Sequence, residues 1–211
     1  MRFTHLYIPP NFNHRFSTRT TGAKQHCFAG IEFLRCCTKI DNNILDNLIG
    51  ICKSIKELEL FISLNNSNYG IVRLIETQKK LISHFGITKP PTTKILSSFV
   101  NLKILELDDP SRNKWNYFEN LSLPYLQILN CRNNVPINTI ASLIENTSGL
   151  LIEIKIFIKT YSEVDNKRII QAIHQNCPKL EYLELIILNN NILELEKLLN
   201  KCQHLNRLYI R

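Results

Sequence analysis

The chain has 211 residues, 44% of them apolar, enough to bury a sizeable core, and none of its apolar runs approaches the roughly 18 residues of a membrane span. Its net charge of +8 brings nucleic acid into consideration as a partner, while seven cysteines, an odd number, argue against a disulfide framework and for a reducing compartment, cytoplasmic or nuclear. There is no Gly-rich phosphate loop, H-E-x-x-H or G-x-S-x-G motif and the six histidines are scattered, so the chain reads as a non-enzyme without a cofactor.

Residues 1–24 read as a basic arm or an irregular cap. They carry Arg2, Arg15, Arg19 and Lys24 without an acid, the first acid of the chain being Glu32. Pro9 and Pro10 interrupt the amphipathic helix that a transit peptide needs. No secretory apolar core is present, so the Asn-x-Ser/Thr matches at Asn65, Asn120 and Asn146 read as chance.

Residues 25–211 read as one repeat domain. The clearest unit runs from Cys177 to Ile187, C-P-K-L-E-Y-L-E-L-I-I, with Leu180, Leu183 and Leu185 in the pattern L-x-x-L-x-L and a cysteine three residues ahead. It returns at Cys202, Leu205, Leu208 and Ile210, and at Cys52, Ile55, Leu58 and Leu60. Weaker copies are Phe28/Ile31/Phe33, Ile82/Phe85/Ile87, Leu102/Leu105/Leu107, Leu126/Leu129/Cys131 and Leu151/Ile154/Ile156, with Leu81 competing with Ile82 and Leu150 with Leu151. The copies follow one another at intervals of 27, 27, 20, 24, 25, 29 and 25 residues, within the 20 to 29 of leucine-rich repeats. The last two apolar positions alternate as in a strand. Three cysteines share one repeat position, where a thiol serves as a small interior hydrophobe. The cluster His26, Cys27, Cys36 and Cys37 has no common zinc spacing, and no metal site is assigned.

Between the strands, helices are expected. Ile40, Leu45, Leu48 and Cys52 mark the first, with Asp41 or Asn42 as its cap, and Ile71, Leu74 and Ile75 mark the second, over about 68–80. Lys89-Pro90-Pro91 breaks the chain before a short helix or turn over 95–99. The irregular stretch 108–124 holds Trp115, Tyr117 and Phe118, which read as plugs for a core lacking leucines, an exposed anchor at Trp115 being the alternative. Asn134 falls at the consensus asparagine position and can satisfy backbone groups in the turn. Later stripes are Ile140/Leu143/Ile144, Ile169/Ile170/Ile173 and Leu195/Leu198/Leu199, and the strand ending at Ile210 is expected to present an unpaired edge. The expected fold is α/β, a leucine-rich-repeat solenoid or horseshoe of about eight parallel strands on the concave face with helices on the convex face.

The C-x-x-L-x-x-L-x-L runs at Cys177 and Cys202, the Cys52 copy and the I-x(4)-L-x(2)-L-x(3)-C run from Ile40 to Cys52 resemble the cysteine-containing repeats of F-box/leucine-rich-repeat proteins. The likeness covers residues 28–211. It implies the substrate-holding part of a cullin ubiquitin ligase receptor. No L-P-x-E-[IL] start precedes the repeats, and 27 residues are too few for an F-box, so cullin components are expected as partners only if an F-box is supplied elsewhere.

On the concave face, the sequence frame turns Glu32, Glu57, Glu59, Glu106 and Asp108 outward from the first four strands, with Phe61 among them. Phe157, Tyr182 and Tyr209 face outward from the last strands. This predicts a site for a protein or peptide, basic or mixed in charge, and makes nucleic acid and membrane poor partners for that face. A stand-alone repeat scaffold or a nucleic-acid-associated basic repeat protein is the alternative.

Overall fold

The computed structural model describes residues 2–9, 12, 27–61, 69–90, 95–110, 115, 118, 121–158 and 162–211. The chain forms two compact units, Met1–Asn101 and Leu102–Arg211. In the first, strands β1 (His5–Tyr7), β2 (Phe33–Cys37), β3 (Glu57–Phe61) and β4 (His84–Ile87) pair in chain order, all parallel, with helices α1 (Asn42–Ile51) and α2 (Tyr69–Gln78) and a 3-10 turn at Ile95–Ser98. In the second, β5 (Ile104–Asp109), β6 (Ile128–Asn133), β7 (Glu153–Ile158), β8 (Tyr182–Leu185) and β9 (Arg207–Ile210) pair in the same way. Helices α3 (Ile137–Glu145), α4 (Glu163–Asn176) and α5 (Ile192–Lys201) belong to this unit, with a 3-10 turn at Asn189–Asn191. Each unit is thus α/β with parallel strands.

The strand leucines supply the core. Leu58 and Leu60, Phe85 and Ile87, Leu105 and Leu107, Leu129 and Cys131, Ile154 and Ile156, and Leu183 and Leu185 are all exposed by 2% or less. Ile82 and Leu151, rather than Leu81 and Leu150, hold the first apolar position, at 0% each, while Leu81 is 45% exposed. Helical stripes are buried with them: Leu45 and Leu48 on α1, Leu74 and Ile75 on α2, Ile140 and Ile144 on α3, Ile169 and Ile173 on α4, and Leu195 and Leu198 on α5. Leu199 departs from its expected stripe and is 48% exposed. The repeated cysteine has a polar duty as well as an apolar one. Cys52 Sγ lies 3.5 Å from the Phe28 carbonyl and Cys202 Sγ 3.5 Å from that of Cys177, each about one repeat back.

Two expectations are corrected at the start of the chain. The strand count is nine among the described residues, because the supposed arm contains β1. Leu6 pairs with Leu34 and Ile8 is buried, which makes Phe3-x-x-Leu6-x-Ile8 a further copy of the repeat. The next copy is Ile31/Leu34/Cys36, three residues later than Phe28/Ile31/Phe33. Leu34 pairs with Leu58 and Cys36 with Leu60, and both side chains are fully buried. The later frame wins because it places two small-to-medium apolar groups in register with the next strand and turns Arg35 to the other face.

The aromatic plug at Trp115 and Phe118 is interior, exposed by 2% and 0%, which overturns the exposed-anchor alternative. The indole Nε1–H donates to the buried Asp109 carboxylate at 2.9 Å. Tyr117 lies outside the described residues. Asn134 bonds to its preceding repeat as expected, its Nδ2 donating to the Asp109 carbonyl at 2.9 Å. Asp41 caps α1, accepting from Asn43 N–H at 2.8 Å. Gly149, in the turn after α3, has φ +70°, which a side chain would strain. Among the described residues β9 pairs with β8 alone, and Tyr209 and Ile210 are each about half exposed.

Candidate functional site

Strand side chains that do not enter the core line the opposite face of each sheet, and pairing register decides which of them meet. In the first unit, His5, Phe33, Glu57 and His84 follow one another across the strands, then Tyr7, Arg35, Glu59 and Gly86, then Cys37 and Phe61. The carboxylates on this face have partners within the chain. Arg35 Nε is 3.1 Å from Glu59 Oε2, and its guanidinium carbon lies 4.6 Å from the Phe61 ring centroid. His84 Nδ1 is 3.5 Å from Glu57 Oε2. Arg35 therefore occupies the centre of what the sequence frame made an all-acidic surface.

Glu32 does not belong to this face. It precedes β2 at the sheet's N-terminal edge, where its carboxylate binds Lys56 Nζ at 2.8 Å. Its placement beside Glu57 and Glu59 followed from the earlier frame, and the three-residue correction removes it.

Glu106 and Asp108 belong to the second unit and Glu57 and Glu59 to the first. Glu106 accepts from Asn130 Nδ2 at 3.1 Å, and Asp108 accepts from Asn133 Nδ2. Asn133 adopts φ 62°, a left-handed conformation that asparagine tolerates, as it leaves β6.

Further along this face the rings collect. Tyr182 pairs with Arg207 and Tyr209 with Glu184, which makes the two tyrosines diagonal neighbours on adjacent strands, with ring centroids 5.5 Å apart and planes tilted by 30°. Lys155 Nζ lies 4.8 Å from the Tyr182 ring and the Arg207 guanidinium 5.0 Å from it, while that of Arg211 lies 4.9 Å from Phe157. Two acids hold two of these cations: Glu153 binds Lys155 at 2.6 Å, and the buried Glu184 binds Arg211 Nη2 at 2.7 Å. The Tyr182 hydroxyl donates to Glu184 Oε2 at 3.1 Å. Desolvation, followed by that hydrogen bond, raises the Tyr182 hydroxyl above its ordinary value. Rings held between fixed cations lose little freedom on binding, and Tyr209 remains 53% exposed.

Phe157, Tyr182 and Tyr209 are thus brought together, as are Glu57, Glu59 and Phe61. The four cations Arg35, Lys155, Arg207 and Arg211 were missing from the expected site. Their period-two spacing on the strands carried the signal, and for Arg35 the corrected frame was needed to see it. Among the described residues no group of three His, Cys, Asp or Glu side chains could hold a metal ion, and no helix is long and apolar enough to cross a membrane. His26 lies outside the described residues. No protein-family model matches the chain, and a search of curated proteins finds none that matches it.

Proposed function

We propose that the chain is a protein-recognition module built as a leucine-rich-repeat solenoid, with its strands on a concave face, its helices on the convex side and its ligand lying across the strands. The observation that carries this reading is the cluster of Phe157, Tyr182 and Tyr209 with Lys155, Arg207 and Arg211, which offers the exposed ring of Tyr209 and the partly buried rings of Phe157 and Tyr182 on parallel strands. Aromatic and arginine side chains of this kind supply much of the binding energy at protein interfaces. The pairing of Glu57 with His84 and of Glu59 with Arg35 shifts the favoured ligand from a basic peptide to one of mixed charge, whose apolar residues pack on the rings and whose acids meet Arg207 and Arg132, the latter exposed on β6 in register with Phe157.

The cysteine-containing repeats make the substrate-holding part of an F-box-type receptor the closest functional class, acting in the cytoplasm or nucleus. A stand-alone scaffold would use the same face. A displayed library of random peptides, selected on the immobilised full chain, tests the site. Enriched peptides should weaken by about tenfold or more on Tyr182→Ala/Tyr209→Ala and keep their affinity on Lys167→Glu, a helical control. Peptides indifferent to the tyrosine pair would refute the assignment. Recovery of cullin-adaptor components with the wild-type chain, and their loss in the tyrosine variant, would extend it to a ligase.

A further inference from the structure

The N-terminal edge of the first unit's sheet has a different chemistry from either face. In parallel repeats, each segment that enters a strand crosses this edge, and the rungs are adjacent here: Lys56 N–H donates to the Glu32 carbonyl, and Ser83 N–H to that of Lys56. Arg2, Lys53, Lys56, Lys79 and Lys80 are all exposed along it. Arg2 lies beside Gly30, where an added Cβ would meet its Cδ at 3.6 Å. Lys53 and Lys56 lead into β3, and Lys79 and Lys80 lie in the turn that leads into β4. Lys53 Nζ donates to the carbonyl of Ile49 in the last turn of α1 at 2.5 Å. Acids border the row at Glu32, bound by Lys56, at Glu57, 3.5 Å from His84 Nδ1 as β3 begins, and at Glu76 in the last turn of α2, against five basic groups. Neighbouring strands are about 4.8 Å apart, so the basic groups form a short dense row.

Aromatic rings begin where that row meets the sheet. His5 and Phe33 are the first residues of β1 and β2, with ring centroids 5.4 Å apart and stacked, and Tyr7, 59% exposed, lies 5.1 Å from Phe33. A basic track bordered by open rings is the combination that holds single-stranded nucleic acid, with phosphates on the cations and bases on the rings. An anionic membrane would use the same lysines, but the large apolar side chains exposed beside them, Phe3 next to Arg2 and Leu81 next to Lys80, are single residues on separate rungs, too little for insertion.

We propose that this edge binds the phosphate backbone of single-stranded RNA or DNA, with bases stacking on Tyr7 and His5. The inference is independent of the peptide site, which lies in the other unit.

Fluorescence anisotropy of labelled oligouridylate with the full chain tests it across a salt series. Reversing three cations, Lys53→Glu/Lys79→Glu/Lys80→Glu, should weaken binding by at least about tenfold and reduce the slope of log affinity against log salt by about 2. The control Lys167→Glu/Lys179→Glu/Lys201→Glu changes net charge equally and should have less than about a threefold effect. Tyr7→Ala should weaken binding by about fivefold or more without changing the slope. Circular dichroism and melting confirm that each variant is folded. Absence of binding at low salt, equal losses from both triple variants, or an unchanged affinity for Tyr7→Ala would overturn the proposal. So would tight capture of phosphatidylserine vesicles that oligouridylate does not compete away.

Discussion

Burial, with the neighbouring Cys37 adding to it, pushes the Cys36 thiol up to about 12. Burial also raises Cys52 to about 11, against the opposing charge of Lys53, and Cys202 to about 11. Cys131 and Cys177 are raised by the same cause. The reactive species is the thiolate. At about pH 8, fewer than one in a hundred of these thiols is ionised, and each is enclosed besides. Cys27, partly exposed in the turn before β2, has no such enclosure. Iodoacetamide on the native protein should therefore modify Cys27 first, and the six buried thiols only after denaturation, as read by peptide mass spectrometry. Modification of Cys36 or Cys131 at the rate of Cys27 would show that the strand frame is wrong. The cysteine position in the repeat was legible in sequence because it obeys the same apolar rule as leucine. The Asp109–Trp115 bond was not: an acid ending a strand looks exposed until the indole N–H that it meets in the core is located.

At the scale of elements, the helices owe their positions to caps and to pairs that cross between repeats. Ser162 caps α4, its Oγ accepting from Asp165 N–H at 3.0 Å, and the buried Asn191 donates from Nδ2 to Asn166 Oδ1 at 3.0 Å on the preceding helix. Arg168 on α4 grips both carboxylate oxygens of Glu145 at the end of α3. The hydrogen bond from Arg168 holds the Glu145 carboxyl below its usual 4.5, with partial burial opposing and the arginine charge assisting. A depressed folded value means that the stabilisation is complete at neutral pH, above the unfolded value, and is lost as pH falls below 4.5 through the folded one. Both side chains are about a third exposed, so the pair contributes less than about 1 kcal/mol. The melting temperature of Glu145→Gln should lie slightly below that of the native chain at about pH 7 and converge with it as pH falls through the folded value of the Glu145 carboxyl. A gap that ignores pH would remove the ion pair from the account. Such pairs join residues 23 apart, the length of a repeat, and no periodicity of apolar residues announces them. The repeat at β2 shows the same limit. Phe28-x-x-Ile31-x-Phe33 and Ile31-x-x-Leu34-x-Cys36 both satisfy the pattern, and only pairing with Leu58 and Leu60 selects between them.

Within each unit, strands pair with their immediate neighbours in chain order, and the helices that touch are likewise consecutive. This is why the parallel α/β character was legible from a period alone, while the outward residues, which obey no apolar rule, had to wait for register. It also determines how damage spreads. Leu183 is fully buried on β8, paired with Ile154 on β7 and Leu208 on β9. Truncating it removes packing atoms and leaves a cavity, at about 2 to 5 kcal/mol for a buried leucine. In a globule with one indivisible core, that loss would lower protection of every slowly exchanging amide alike. Where each repeat rests on its neighbours, the loss is confined to the repeats that touch it. Hydrogen exchange of Leu183→Ala should therefore show faster exchange in β7, β8, β9, α4 and α5, with amides of β2 and β3 in the first unit nearly unchanged. Uniform acceleration throughout the chain would rule out the nearest-neighbour account and with it the solenoid reading, and unchanged exchange around β8 would mean that Leu183 does not support the core.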